Sequence, residues 1–270
     1  MTTIRDQRLA ASLLEALPAL DAAELQYSNL GQQAQLYLIP TSAGVSGAVT
    51  LEQMRWLYEN SFVGNPVGRR FYDIIKVTPS GGICPLCKQR VVGTVDHYLP
   101  QSNHALLTVT PLNLIPACEK CNYLKRADSA RTAEEQTLHP YFDALPPGAW
   151  LHAELEETSP PTIRFRAEAP IDWPDVTKRR IERHFAVFGL AELYGSQAAV
   201  ELVNIAYGLA RIYRASGPEG IRIHLEQELE SREYPDPSSW QSAFYRALAC
   251  SEWFHSVGHF RILEALPLPV

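Results

Sequence analysis

The chain has 270 residues, of which 46% are hydrophobic and 10% aromatic, and its formal net charge is −6. This composition excludes a disordered protein, because it supplies enough apolar side chains for a sizeable core. The negative charge excludes a protein that coats nucleic acid through bulk positive charge. Residues 84–131 have a net positive charge, with six basic side chains and three acidic ones. No apolar stretch reaches the length of a membrane span, and residues 1–6 lack the order of a signal peptide, so we expect a cytoplasmic protein.

The first part of the chain is predicted to be helical. Leucines at helical spacing predict a helix over residues 4–30, interrupted by Pro18. A polar stretch with two glycines, residues 41–47, predicts a loop. Further helices are expected from Thr50 and over residues 66–77, before a Pro-Ser-Gly-Gly turn. We therefore assign residues 1–78 to an N-terminal helical region.

A small module is predicted next, over residues 79–143. Two Cys-x-x-Cys pairs enclose a β-branched strand, residues 91–97, and a return strand, residues 112–117. A helix over residues 119–130 is expected to start inside the second pair. The order strand, loop, strand, helix is therefore predicted around one metal ion.

The remaining residues, 144–270, are predicted to form a β-hairpin followed by a helical bundle. Residues 150–155 and 162–167 alternate with period two around Ser-Pro-Pro, and helical periodicity follows over residues 176–194, 197–215, 219–232 and 238–255. The predicted fold class is α+β. Trp150, Trp173 and Trp240 are expected in the core, with base stacking as the alternative. Cys250 is expected to be a small buried apolar residue.

Four of the five cysteines have the spacing of a zinc site. They are Cys84, Cys87, Cys118 and Cys121. Four thiolates complete a tetrahedral zinc and leave no open position for water, so this ion would be structural. Disulfide bonds and a redox centre are the alternatives, and the absence of a signal peptide favours zinc.

The Asp96–His97 pair lies between the two cysteine pairs. Adjacent strand residues point to opposite faces, so the backbone must twist or bulge if both side chains serve one site. A carboxylate suits Mg²⁺, and an imidazole can deprotonate a water molecule. A structural histidine with satisfied hydrogen bonds is the alternative. Nearby, His104 is expected to be exposed, and His139 is expected to pack beside aromatic side chains.

Residues 84–126 resemble an HNH endonuclease of the ββα-metal class, in the subgroup with a four-cysteine structural zinc. The family pattern is Cys-x-x-Cys, Asp-His-x-x-Pro, Asn-Leu and Cys-x-x-Cys-Asn-x-x-Lys. The chain matches it with the two cysteine pairs, Asp96-His97-Tyr-Leu-Pro, Asn113-Leu and Asn122-Tyr-Leu-Lys125. Less specific similarities before and after this stretch extend the resemblance over most of the chain.

The resemblance implies a role for each motif residue. His97 would be the general base, Asp96 and Asn122 would bind a catalytic Mg²⁺ or Mn²⁺ ion, and Asn113 would brace the loop that orients the histidine. Lys125, on the helical face of Asn122, would contact a substrate phosphate, with a solvated lysine as the alternative. Arg126, where some relatives carry another metal-binding histidine, is assigned to substrate binding as well.

The expected function is metal-dependent hydrolysis of phosphodiester bonds in DNA, giving 5′-phosphate ends. Some relatives act in anti-phage defence beside an ATPase, which makes such a subunit a candidate partner. Two strands would be cut most simply by a homodimer or by successive nicks. A basic run, residues 178–184, would track DNA or be a solvated helix face. The alternative function is a catalytically silent zinc module that binds DNA or recruits a partner.

Overall fold

The computed structural model describes residues 7–126 and 129–265. Helices and small antiparallel sheets make up these residues, so the predicted α+β class is confirmed. The chain divides into two compact units, residues 1–145 and 146–270. The expected N-terminal region and the expected zinc module both fall in the first unit, and the boundary at residue 78 stays a prediction. Residues 1–6, on which the signal-peptide expectation rests, lie outside the described residues.

The first unit contains short strands between helices. Its elements are α1 (Gln7–Gln32), β1 (Gly44–Val45), β2 (Val49–Thr50), α2 (Leu51–Trp56), α3 (Pro66–Val77), β3 (Thr94–His97), β4 (Leu114–Ala117) and α4 (Glu119–Lys125). Helix α2 begins with a capping box, in which the side chains of Thr50 and Gln53 accept each other's backbone amides. It continues as a π-helical stretch, Leu57–Val63. Within the described ranges, none of the helices combines the length and apolar character that a membrane crossing needs.

Helix α1 runs through Pro18 without interruption, so the predicted break is wrong. A proline inside a helix removes a backbone hydrogen bond and costs about 3 kcal/mol. Leu9, Leu13 and Ala16, before the proline, are buried in a core cluster with residues of β1, β2 and α2. Tyr27, after the proline, is fully buried as well. Burial on both sides of Pro18 offsets the lost hydrogen bond and keeps the two halves in one helix.

Strands β3 and β4 form an antiparallel pair that leads directly into α4. Their register runs from Thr94 opposite Ala117 to His97 opposite Leu114. Both strands are shorter than predicted, and β4 is buried over its whole length. Helix α4 ends at Lys125, earlier than predicted, because Arg126 takes a positive φ of 53° that cannot continue a helix. Residues 127 and 128 of the predicted helix lie outside the described residues.

The second unit is a hairpin with helices, as predicted. Its elements are β5 (Leu151–Glu156), β6 (Thr162–Ala167), α5 (Asp175–Val187), α6 (Leu190–Glu233), α7 (Trp240–Ala249) and α8 (His259–Ala265). The hairpin is antiparallel, with Leu151 opposite Ala167. The predicted break between residues 194 and 197 is wrong, because α6 is continuous there. The helices α5 and α6 are separated earlier, at Gly189, which has a left-handed φ of 58°. The predicted gap between residues 215 and 219 is a non-helical residue, Gly217, inside the long α6.

Two expectations for single residues of this unit have different outcomes. Trp150, Trp173 and Trp240 are all buried, so they are core side chains, as expected. Cys250 is exposed, so its expected burial is wrong. It is the C-cap of α7.

The basic run in α5 is not a continuous exposed face. Arg180 and His184 are each only 5% exposed. Lys178 and Arg179 form ion pairs with acidic residues of the same helix. Val176, expected inside, is exposed. Much of the positive charge of this run is therefore buried or already paired, which argues against a DNA-tracking surface here.

Candidate functional site

The four predicted zinc ligands come together in the first unit. The Sγ atoms of Cys84, Cys87, Cys118 and Cys121 all lie within 4.8 Å of one another. The sulfurs of Cys87 and Cys118 are 4.0 Å apart, and in a tetrahedral site with Zn–S bonds of about 2.3 Å the sulfurs would be about 3.8 Å apart. All four side chains are buried, and none forms a disulfide bond. The cluster could therefore hold a metal ion such as zinc, as predicted.

Backbone amides direct the cysteine sulfurs toward this cluster. The amide of Arg90 donates to Cys87 Sγ, and the amide of Cys121 donates to Cys118 Sγ, each at 3.4 Å. Cys118 is also the N-cap of α4, so the same contact begins the helix. The hydrogen bond between these thiols lowers the pKa of Cys118 and raises the pKa of Cys121. The cluster therefore brings the start of α4 next to the segment that carries Cys84 and Cys87.

Asp96 and His97 are the last two residues of β3, and both line one pocket. The pocket has a volume of about 190 Å³ and is lined by Arg55, Asp96, His97, Pro100, Gln101, Ser102 and Arg126. No bulge is needed, because the register with β4 stays regular up to His97. The strand ends there, and Asp96 Oδ1 accepts a hydrogen bond of 2.7 Å from the His97 amide. The end of the strand thus brings both side chains to one pocket.

His97 is held in one orientation by a backbone carbonyl. Its Nε2 lies 2.8 Å from the carbonyl oxygen of Thr108. A carbonyl only accepts hydrogen bonds, so Nε2 carries the proton and Nδ1 keeps the lone pair of the neutral ring. The edge of the Tyr58 ring packs against the imidazole, with centroids 4.6 Å apart. Burial lowers the pKa of His97 to about 4, so the ring is neutral at physiological pH.

Asn113 braces the loop that carries Thr108. It is fully buried, and its Oδ1 accepts a 2.7 Å hydrogen bond from the amide of Leu99. Its Nδ2 donates to the carbonyls of Leu99 and Leu107, at 3.0 and 3.1 Å. Leu107 is next to the residue that holds His97. The bonds of Asn113 therefore connect the end of the loop to Leu99 and Leu107.

Lys125 points inward, toward Asp96. Its side chain is buried, and Nζ donates a 2.6 Å hydrogen bond to the carbonyl of His97. The same Nζ lies 3.1 Å from Asp96 Oδ2. Burial raises the pKa of Asp96, while the Lys125 ammonium acts in the opposite direction. Lys125 is therefore neither the solvated lysine nor the open phosphate contact considered from the sequence.

The other two assigned residues lie on either side of Lys125 in the chain. Asn122, in α4, is half-buried and is not among the pocket-lining residues of the described chain. Arg126 is exposed and lines the pocket. The structure thus brings Asp96, His97 and Arg126 to one pocket, and leaves Asn122 outside its lining.

Three residues of the pocket were not singled out from the sequence. Arg55 lies in α2, far from the motif in the chain, and no sequence pattern marks it. Gln101 and Ser102 directly follow the motif proline, and their polar character was the available clue. Gln101 Oε1 and Ser102 Oγ are buried without a hydrogen bond from the described residues. Asp96 Oδ2 is buried as well, with Lys125 Nζ as its ion-pair partner. Together with the Asp96 carboxylate, these two oxygens are suited to a cation or ordered water.

Two further histidines lie outside the pocket lining. His104 is buried, with only 3% of its surface exposed, so its expected exposure is wrong. His139 packs among aromatic rings, as expected, with the Phe142 ring centroid 4.6 Å away. Its Nε2 lies 3.0 Å from the Tyr27 hydroxyl. These contacts give His139 a packing role between α1 and the module.

The chain is similar to one phage protein. It is 28% identical over 263 residues to "Protein ea31" of Escherichia phage lambda, an alignment that covers 88% of this chain and 87% of that protein. The name of that protein states no activity. No protein-family model matches the chain, and no solved structure matches it.

Proposed function

We propose that the chain is a divalent-metal-dependent endonuclease that hydrolyses phosphodiester bonds in DNA. The observation that carries the proposal is the pocket of His97, which combines a neutral imidazole, a carboxylate, two unpaired oxygens and two arginines. These groups are the types needed to activate water, bind a hard cation and hold a phosphate. The HNH assignment of the β3–β4–α4 segment is part of this proposal.

His97 is the proposed general base. Because its Nε2 proton is committed to the Thr108 carbonyl, only Nδ1 can take a proton from water. Burial keeps the ring unprotonated at neutral pH, so no prior loss of a proton is needed. Asn113 acts as a positioning residue, because it holds the loop that supplies this carbonyl.

Asp96 is the proposed metal ligand, with Asn122 as the second. Asp96 places a carboxylate in the pocket, and Gln101 Oε1 there is buried without a hydrogen bond from the described residues, so hard oxygen donors are present. Mg²⁺ or Mn²⁺, when bound, would neutralise charge on the phosphate oxygens. The ion pair with Lys125 favours the ionised form of the carboxylate and so opposes the effect of burial, which raises the pKa of Asp96.

Arg55 and Arg126 are the proposed phosphate contacts. Both line the pocket and both are exposed, so their guanidinium groups can reach a strand that crosses it. They give the site a local positive charge although the chain as a whole is negative. Arg55 comes from α2, so the substrate would be held between the N-terminal helices and the zinc module.

A catalytically silent DNA-binding or partner-recruiting module is the second candidate. It is favoured by the Lys125–Asp96 ion pair, because the ammonium already neutralises the carboxylate that would bind the catalytic ion. The position of Asn122 outside the pocket lining favours it too. In that case the pocket would bind a phosphate of the DNA without cleaving the DNA strand.

Plasmid cleavage distinguishes the two candidates. Wild type is expected to nick or linearise supercoiled DNA with Mg²⁺, and His97→Ala is expected to lose this activity by about 100-fold or more. His224→Ala, in α6 of the second unit, is the matched control and should cut like wild type. Zinc content and circular dichroism of each variant check that the fold is intact.

The possible results separate cleanly. Undiminished cutting by His97→Ala would show that another group is the base. Binding of DNA by wild type without cleavage, with Mg²⁺ or Mn²⁺ present, would favour the silent module. A role in anti-phage defence, an ATPase partner and a homodimer remain predictions from the resemblance alone.

A further inference from the structure

An exposed aromatic ring lies on the same helix as the zinc ligand Cys121. Tyr123, in α4, is 62% exposed. Other tyrosines of this unit, such as Tyr58, Tyr72 and Tyr98, are buried in the core. Tyr123 is therefore not needed for packing, and its ring is open to a binding partner.

Two cations flank this ring. Lys120 Nζ lies 5.7 Å from the ring centroid, and Arg126 Cζ lies 5.6 Å from it. Both distances fall in the outer part of the range for cation–π contacts, which extends to about 6 Å. Both side chains are exposed, so either can leave the ring and pair with a phosphate. An aromatic ring between two exposed cations is suited to a polyanion that also has flat rings, which is the chemistry of nucleic acid.

Arg126 connects this ring to the proposed site. Besides its contact with Tyr123, it lines the pocket that contains Asp96 and His97. Its backbone has φ 53° and ψ −149°, a conformation that side-chain-bearing residues rarely adopt. The helix that carries Tyr123 has Cys118 as its N-cap and contains Cys121, so two residues of the metal cluster belong to this helix and its cap.

We propose that Tyr123 is a stacking platform for an unpaired base next to the cleavage pocket, with Lys120 and Arg126 on the adjoining phosphates. A ring on a protein surface can stack on a base only if one face of that base is uncovered, and bases inside a duplex are covered on both faces. The preferred substrate is therefore single-stranded or locally unpaired nucleic acid. This inference rests on the proposed nuclease function for its biological meaning, but the binding site itself does not depend on cleavage.

Equilibrium binding tests the platform without cleavage. Fluorescence anisotropy is measured in a His97→Ala background, without added divalent ion, on a labelled 15-mer of deoxythymidine and on a labelled hairpin duplex. Stacking of one base on an aromatic side chain contributes about 1–3 kcal/mol, so Tyr123→Ala should weaken single-strand binding by about 5-fold to 150-fold. Tyr123→Phe keeps the ring, so its affinity for the single strand should be within about 2-fold of that of the His97→Ala parent protein.

Duplex binding and a distant tyrosine are the controls. Tyr123→Ala should change duplex binding by less than about 2-fold, because paired bases offer no free face. Tyr207→Ala removes a similarly exposed ring, 67% exposed, from α6 of the second unit and should change neither affinity. Zinc content should be unchanged in all variants, since Tyr123 is not a ligand.

The outcomes separate this inference from the proposed function. If Tyr123→Ala leaves single-strand binding intact, or weakens single-strand and duplex binding equally, the platform is wrong even when plasmid cleavage supports the nuclease. If single-strand binding depends on the ring while wild type never cleaves, the platform stands and the nuclease proposal fails. Failure of the parent to bind either DNA would overturn the platform.

Discussion

Asn113→Ala should destabilise the loop between β3 and β4 more than any exposed polar substitution. The side chain is fully buried and makes three hydrogen bonds, all to backbone groups of Leu99 and Leu107. Truncation removes the partner of one amide and two carbonyls at once.

The structure sets the size of the effect. Leaving a buried hydrogen-bonding group unsatisfied costs about 1–3 kcal/mol. Three groups would give about 3–9 kcal/mol, and water entering the space of the lost amide would limit the loss to about 3–5 kcal/mol. A loss of that size is a large part of the 5–15 kcal/mol that is usual for a whole domain. Because Thr108 follows Leu107, the carbonyl that orients His97 would also lose its fixed position.

Hydrogen exchange measures the loss of stability in the loop itself. The amide of Leu99, which donates to Asn113 Oδ1, should lose about 100-fold or more in protection in Asn113→Ala, as a 3 kcal/mol loss requires. Asn60→Ala is the matched control, because Asn60 is exposed and makes one hydrogen bond, to the carbonyl of Trp56. It should change stability by less than about 0.5 kcal/mol.

A loss below about 1 kcal/mol in Asn113→Ala would refute the three-bond reasoning. Asn113→Asp gives a second check, since it keeps an acceptor for Leu99 but sets a carboxylate against two carbonyls. It should therefore be about as destabilising as the alanine variant. A wild-type-like Asn113→Asp would show that the two donated bonds contribute little.

Three further predictions concern the metal cluster and the pocket. A Cys118→Ser, Cys121→Ser variant should lose its zinc, as measured by elemental analysis, and lose DNA cleavage even with Mg²⁺ present, because α4 no longer has a fixed start; undiminished cutting would contradict this. Burial lowers the pKa of His97 from 6.5 to about 4, so the unfolded chain binds the proton first, and the free energy of unfolding should fall by about 3 kcal/mol as the pH drops from 6.5 to 4. Measuring the free energy of unfolding against pH for wild type and His97→Gln, without added divalent ion, isolates this contribution from that of Asp96. The same pH dependence in both proteins would count against the prediction. Lys125→Met should lose about 3–5 kcal/mol, because it leaves the Asp96 carboxylate buried and unpaired. Mg²⁺ should then raise the melting temperature of the variant more than that of wild type, and an equal rise would speak against metal binding at Asp96.

The parts of the structure that the sequence predicted are those with short-range patterns. The hairpin of β5 and β6 follows from period-two alternation around a turn, and both of its strands are found. The cysteine cluster follows from ligand spacing, because a Cys-x-x-Cys turn presents two sulfurs to one point. The bracing role of Asn113 was implied by a motif position, and its three hydrogen bonds fit that role.

Errors arose where tertiary packing overrides a local preference. Pro18 predicts a break, but burial of Leu9 and Tyr27 on either side keeps α1 continuous. Cys250 has a small apolar side chain that is typical of a protein core, but it lies at the C-terminal end of α7 and is exposed. The size and polarity of a side chain set its preference for the core, and tertiary packing decides whether it is buried there.

The sequence by itself determined the α+β class and which four cysteines can share a metal ion, because both depend on periodicity and spacing along the chain. Only the tertiary structure decided the contents of the pocket. Arg55 reaches it from a distant helix, and Lys125 turns inward to Asp96 although a lysine in a short helix usually faces solvent. These contacts depend on how separate elements pack, and the free energy of packing is not encoded in any one local pattern.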